Sequence, residues 1–405
     1  MSQKEPRKPN LLQALVPIAV LICLLVLNVT YFGDHTLDGA NQVALILASA
    51  VAGIIAVYLG VKWIDIRASM VKSISSAMPS ILILLMIGAL AGTWLLSGVV
   101  PTLIYYGLKV FHPKIFLFAT VIIAGLVSLA TGSSWSTVAT IGIALIGVGQ
   151  ALGISQGLIA GAVISGAYFG DKMSPLSDTT NLAPAMAGTD LFTHIRYMTI
   201  TTVPAMSVTL VIFLVIGFTY QFEATPGDIE LVLESIGSKF NVSPWLMLVP
   251  AFLIFIIVKK IPPLPALLAG SLMGGIFALI FQPHLIREVA LSLDPGTTTF
   301  FKSSYLAMMQ SIFGDIAILT PNEMVNELLT STGMRGMLNT IWLILAAMVF
   351  GGTMESAGLL VKITSSVIRW AQSTGSLVTT TIATSIFFNI TASDQYIAIV
   401  VPGRM

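Results

Sequence analysis

Leu90-Ala91-Gly92-Thr93-Trp94-Leu95-Leu96-Ser97-Gly98 aligns without a gap on Phe350-Gly351-Gly352-Thr353-Met354-Glu355-Ser356-Ala357-Gly358, 260 residues further on. At the same offset Lys109 falls on Arg369, and Thr131-Gly132-Ser133-Ser134 falls on Thr391-Ala392-Ser393-Asp394. Both copies place polar residues where a membrane span should be apolar. A duplicated apolar chain with polar, broken helices at matching places in its halves points to a secondary transporter, its site lying where the halves meet.

Composition sets the class. Hydrophobic residues make up 56% of the 405, and charged residues only 9%, against about 25% in soluble domains. Mean hydropathy is +0.94. This is an all-α polytopic membrane protein. The net charge of +1 speaks against a nucleic-acid partner. The single cysteine, Cys23, lies in the first apolar run and has no internal mate. The chain contains no Gly-Lys dipeptide, so no Walker A loop, and no H-E-x-x-H pair. ATP-driven pumping is disfavoured, no enzymatic activity is indicated, and no cofactor is expected. Lys4, Arg7 and Lys8 precede an apolar run over 11–29 that is longer than a signal-peptide core, with no cleavage site after it. It reads as a retained first helix.

A spanning helix needs roughly 20 apolar residues. Candidates are 11–29, 43–60, 79–99, 199–220, 244–258, 264–281 and 339–358. Two longer stretches are interrupted: 115–149, at Thr131 to Thr137, and 154–189, at Gly170 to Asn181. A third begins at 376. The segment 302–330, with Lys302, Asp315, Glu323 and Glu327, is too polar for a span and reads as an interfacial insertion. These runs divide the chain into a first repeat over 1–220, an acidic linker over 221–243 read as solvated loop, and a second repeat over 244–405. Leu248-Val249-Pro250 echoes Leu15-Val16-Pro17 near the start of each repeat.

Lysine and arginine counts put the N-terminus and the 61–78 loop (Lys62, Arg67, Lys72) in the cytoplasm. Arg196, Lys259, Lys260, Lys362 and Arg369 join them, while Lys109 and Lys114 break the rule. Parity then favours inverted repeats, whether 115–149 is a re-entrant hairpin or two full spans. The second repeat stops at Met405 in mid-element and looks truncated. By comparison with 146–220 of the first half, about 50–80 further residues are expected.

The chemistry concentrates in Gly170-Asp171-Lys172-Met173-Ser174-Pro175-Leu176-Ser177-Asp178-Thr179-Thr180-Asn181-Leu182-Ala183-Pro184. The apolar run before it, 157–169, is too short to cross a core of about 30 Å, which places the polar motif inside the membrane. Gly170, Pro175 and Pro184 are helix breakers, and broken backbone is tolerated at depth only in protein or beside a water-filled cavity. Freed carbonyls, hydroxyls and a carboxylate suit a small hard cation such as Na+. Asp178, flanked by Ser177, Thr179, Thr180 and Asn181, is the first choice for a carboxylate holding either a proton or Na+. Asp171 is either a ligand or an ion pair with Lys172. Ser174 belongs to the same cluster. Burial disfavours a carboxylate's charged form, so one group taking proton and metal in turn yields exchange. The second constellation is Thr131, Ser133 and Ser134 with their mates Ser393 and Asp394. Glu355 lines the pathway or lies at the interface.

At these residues the chain resembles the NhaC family of Na+/H+ antiporters, as it does at Thr391-Ala392-Ser393-Asp394-Gln395-Tyr396 and Val401-Pro402-Gly403-Arg404-Met405. The resemblance covers the whole chain. It implies a bacterial inner-membrane protein with inverted repeats, re-entrant hairpins and interrupted helices, and a second Ser-Pro-Leu-type break beyond Met405. Na+, H+ and the lipid bilayer are the implied partners, with a homodimer as the candidate assembly. Close relatives include exchangers of malate and protons for Na+ and lactate, for which Lys172 is the lysine placed to meet a carboxylate. A non-transporting membrane subunit is the alternative of another class.

Overall fold

The computed structural model describes residues 7–219, 226–297, 299–320, 323–368, 373–391 and Ile399; of some residues within these, Asp178 among them, it describes the backbone alone. The apolar runs are helices. Helix α1 (Leu11–Phe32) opens on a reciprocal cap, Asn10 Oδ1 accepting from Gln13 N at 2.8 Å and Gln13 Oε1 from Asn10 N at 3.0 Å. Then come α2 (Ala40–Tyr58), α3 (Trp63–Leu96), α4 (Val99–Val110) and α5 (Pro113–Thr131). The chain continues through α6 (Ser134–Ala151), α7 (Gln156–Met173), α8 (Asp178–Ala187) and α9 (Leu191–Thr219). Next come α10 (Pro226–Lys239), α11 (Pro244–Val258), α12 (Pro263–Phe281), α13 (Pro283–Leu293) and α14 (Phe300–Phe313). A two-residue pair, β1 (Ile316–Ala317) and β2 (Thr330–Ser331), brackets α15 (Glu323–Leu328). Helices α16 (Leu338–Ser356), α17 (Leu359–Ile368) and α18 (Thr374–Thr391) follow. Among the described residues, eight helices are long and apolar enough to cross a membrane. The protein is an all-α, multi-pass membrane protein.

Three expectations need correction. The 61–78 loop is helical: α3 starts at Trp63 and runs unbroken for 34 residues, because hydropathy marks only a helix's apolar part, and polar helix formers extend it. The acidic linker is no solvated loop over Pro226–Lys239. It is an amphipathic helix burying Val232 and Ile236 while Glu230 and Glu234 face outward, and the segment Ile229–Lys239 meets α11 at 94°. The second interruption is narrower than Gly170 to Asn181. Only Ser174–Ser177 leave the helix, with Pro175 in the turn; Pro184 sits inside α8. The stretch 302–330 contains no candidate span among its described residues, as its polarity predicts.

The chain forms two compact units, neither of which follows the repeat boundaries. One comprises 1–82, 185–188 and 338–405, the other 83–184 and 189–337. Each unit contains one version of the same packing. In the first, α2 lays Ala44, Ala48, Ser49, Ala52 and Ala56 inward, and Ser49 Oγ meets Thr353 Oγ1 of α16 at 2.9 Å. In the second, α12 buries Ala266, Gly270, Ser271, Gly274 and Ala278 at the same spacing, and Trp94 Nε1 of α3 donates to Gly270 O at 3.3 Å. Small residues let helix backbones approach where no water drives association. The end of α3 and α16 match in sequence, and each packs on a helix with the same small-residue stripe. Both copies then stop at a left-handed glycine, Gly98 (φ +79°) and Gly358 (φ +65°).

Candidate functional site

The first interruption is a reversal. Helix α5 ends at Thr131, Gly132 takes φ +69°, and Ser133 caps α6, its Oγ accepting from Ser136 N at 3.2 Å. Phe116 near the start of α5 lies against Gly149 near the end of α6, so the two run antiparallel as a helical hairpin. Its arms have 19 and 18 residues, about 27–29 Å at 1.5 Å per residue, nearly the depth of a bilayer core. A π-helical segment, Val138–Gly142, interrupts α6 one turn beyond the tip; such segments are frequent at functional sites. Helix α7 runs parallel to α5. Gly166 lies on Val121 and Gly170 on Gly125, so closely that a Cβ on Gly170 would come within 2.3 Å of Gly125 O. Gly170 therefore serves close approach, not helix breaking.

Because α5 and α7 are parallel and similar in length, their polar ends meet. Gly132 packs on the backbone of Leu176. Ser174 Oγ donates to Leu129 O at 2.8 Å. Ser134 Oγ donates to Asp171 Oδ2 at 2.8 Å. Thr180 Oγ1 reaches back to cap the end of α7, donating to Asp171 O (3.1 Å) and Lys172 O (3.0 Å). Ser177 Oγ pairs with Thr179 Oγ1 at 3.0 Å, and Asn181 Nδ2 ties the break with bonds to Pro175 O (2.9 Å) and Ser177 O (2.7 Å). Thr131 Oγ1 lies 3.4 Å from Thr137 Oγ1. Ser134, Ser174, Ser177 and Thr180 are buried; Asp171 is half-buried. The result is a carboxylate that accepts from Ser134 at the start of α6, where the helix dipole favours an anion, beside a break whose backbone is tied by hydroxyls.

The structure thus brings together Thr131, Ser133, Ser134, Asp171, Ser174, Ser177, Thr179, Thr180 and Asn181. Asp171 makes no ion pair with Lys172, which is exposed. Asp178 opens α8, but its side chain lies outside the described residues, as do Ser393 and Asp394. Glu355 is exposed. Sequence reasoning missed Ser128, whose Oγ holds Ala167 O at 2.5 Å, although a serine one turn before a polar break is a readable signal. It also missed the π segment, which has no local sequence signature.

Polytopic helices whose polar breaks meet around a carboxylate define a secondary transporter. Residues 2–168 and 166–405 match the Na+/H+ antiporter family, and the chain belongs to it. It is 36% identical to the malate-2H+/Na+-lactate antiporter of Bacillus subtilis, over 99% of this chain and 81% of that one. It is 34% identical to the Na+/H+ antiporter NhaC of Alkalihalophilus pseudofirmus, over 97% and 81%. To the arginine/ornithine antiporter ArcD of Halobacterium salinarum it is 31% identical, over 98% and 78%.

Proposed function

We propose that this chain exchanges Na+ for H+ across the bacterial inner membrane, with its N-terminus in the cytoplasm, and that Asp171 is the carboxylate taking the two cations in turn. One observation carries the reading: Asp171 stands where two helix breaks meet, and Ser134 Oγ uses only one of its oxygens, at 2.8 Å. A single carboxylate holds a proton or a Na+ but not both. The Ser134 hydroxyl, the helix break and the remaining carboxylate oxygen replace part of the ion's water shell. Asp178, on the first turn of α8, is the second acid of the same break.

In everted vesicles carrying a pH gradient, Na+ alone is expected to collapse it. Asp171→Asn keeps shape and one oxygen but cannot alternate, so coupled exchange is lost although the protein inserts. Asp178→Asn is made in parallel. Normal exchange by well-expressed Asp171→Asn with loss in Asp178→Asn transfers the role to Asp178.

A second reading, in which an organic carboxylate moves with Na+, draws on Lys172, an exposed cation beside Asp171 without an ion-pair partner among the described residues. Malate, lactate, arginine and ornithine, after which the two antiporter relatives are named, share a carboxylate.

A further inference from the structure

Helices α7 and α9 run antiparallel, with Gly161 against Phe213. Between them lies an open groove of about 200 Å³, whose lining includes Tyr168, Phe169, Lys172, Thr202, Ala205 and Met206. Its two ends differ. At one, Ser165 and Thr209 spend their hydroxyls on their own helices, Ser165 Oγ donating to Gly161 O (2.7 Å) and Thr209 Oγ1 to Ala205 O (2.9 Å). At the other, Lys172 is level with Thr202. The Lys172 ammonium has no ion-pair partner, and the half-buried Thr202 no side-chain hydrogen bond, among the described residues. The groove opens sideways. Of α9 only Phe213 and Gly217 are buried, and Ile164 and Tyr168 of α7 are exposed beside Ile200 and Val203 of α9. An apolar rim on a spanning helix faces lipid tails, which are as apolar as leucine.

Two rulers put Lys172 just inside the membrane boundary. Along α7 it lies about 24 Å from Gln156 at 1.5 Å per residue, in a core of about 30 Å. Along α9, Thr202 follows Thr199, where the apolar run begins, by about 4–5 Å. From there a lysine stem carries its ammonium to headgroup level. We propose that the groove holds one anionic phospholipid. Its phosphodiester accepts from Lys172 Nζ and the Thr202 hydroxyl, and an acyl chain lies along Phe169, Ala205 and Met206. Among the described residues no acidic side chain lines the groove to receive the ammonium of an ethanolamine headgroup, which selects a headgroup of net negative charge. Basic pockets between spanning helices on the cytoplasmic side take such headgroups, and in the orientation proposed above the Arg196 end of α9 is the cytoplasmic one. Lys172 O also accepts from Thr180 Oγ1 at 3.0 Å, so a lipid held by Lys172 braces α7 where it breaks.

The test is native mass spectrometry of the purified full chain with phosphatidylglycerol and phosphatidylethanolamine of identical acyl chains, alongside thermal unfolding with each lipid. The protein is expected to hold its first phosphatidylglycerol about fivefold more tightly, the contribution of one basic residue at an anionic surface, and to unfold at a higher temperature with it. Lys172→Gln is expected to abolish both differences, Lys172→Arg to retain them, and Thr202→Val to reduce the preference. Lys260→Gln, at an exposed lysine outside the groove, is expected to leave both unchanged. Equal retention of the two lipids overturns the proposal, as does a preference that survives Lys172→Gln. Equal loss in Lys260→Gln overturns it too, since that marks bulk attraction. So does displacement of the bound lipid by millimolar L-lactate or inorganic phosphate, which would give the groove to a water-soluble anion. Lipid retention is read without Na+, so this inference and the exchange reading fall separately.

Discussion

Two joints in this molecule are built from the same parts and end differently. At Gly98 a helix stops in a left-handed turn, and a polar side chain from another element closes over it. Gln282 Nε2 donates to Ser97 O (3.3 Å) and Asn241 O (3.2 Å), and its Oε1 accepts from Asn241 N (3.0 Å). Gln282 is wholly buried, and both ends of its amide are used. At Gly132 a helix also stops in a left-handed turn, and Asp171 from a neighbouring helix bonds Ser134, two residues further on. Asp171 is half-buried and receives one side-chain bond, from Ser134. A polar group whose valences are consumed by protein is a fastener. One with capacity left is a place for a ligand.

The sharpest test of that contrast pairs Asp171→Asn with Gln282→Leu. Asp171→Asn should remove more than nine-tenths of Na+-driven proton movement and leave the unfolding midpoint in detergent nearly unchanged. Gln282→Leu should do the reverse. It strands buried backbone groups of Ser97 and Asn241 at a cost of about 2–3 kcal/mol, while exchange per folded molecule stays within about twofold, a factor worth less than the 1.4 kcal/mol of a tenfold change. If both variants lose stability and activity alike, the distinction between fastener and site fails.

A smaller effect separates the two copies of the repeated turn. Ala at either Gly98 or Gly358 pays for a left-handed backbone, about 1–2 kcal/mol. At Gly98 the new Cβ would also come within 2.5 Å of Gln282 Nε2, whereas Gly358 has open space around it. Thermal unfolding should therefore rank Gly98→Ala as the more damaging; equal losses would mean that Gln282 swings aside freely. Smallest is the α2–α16 contact. A double-mutant cycle of Ser49→Ala and Thr353→Val should return a coupling of about 0.6 kcal/mol, typical of hydroxyl pairs between membrane helices. Its repeat mate Thr93, whose Oγ1 bonds only to Ala89 O and Leu90 O of its own helix, should show no coupling to Gly270 or Ser271.

The amino-acid sequence by itself determined the class, the first break and the repeat. Of the two ways to satisfy the backbone in lipid, helix and closed barrel, unbroken apolar runs of about 20 residues select the helix. Thr131-Gly132-Ser133-Ser134 announces a helix end because glycine and small hydroxyl residues cap and stop helices locally. The match at a 260-residue offset, ending in Gly98 and Gly358, is a linear pattern. Tertiary structure decided what no linear pattern holds. The amphipathic α10 inside an acidic stretch, and the small-residue faces of α2 and of α12, depend on what each packs against within its own unit. Gly170 looks like a helix breaker in sequence and proves to be a point of close approach to Gly125. Asp171, next to Lys172 in sequence, reads equally as a ligand or as its ion-pair partner until folding turns Asp171 toward Ser134 and Lys172 into a groove along α9. The reason is geometric: neighbouring residues on a helix point about 100° apart, and only the packing of α5, α6 and α9 around α7 fixes what each direction meets.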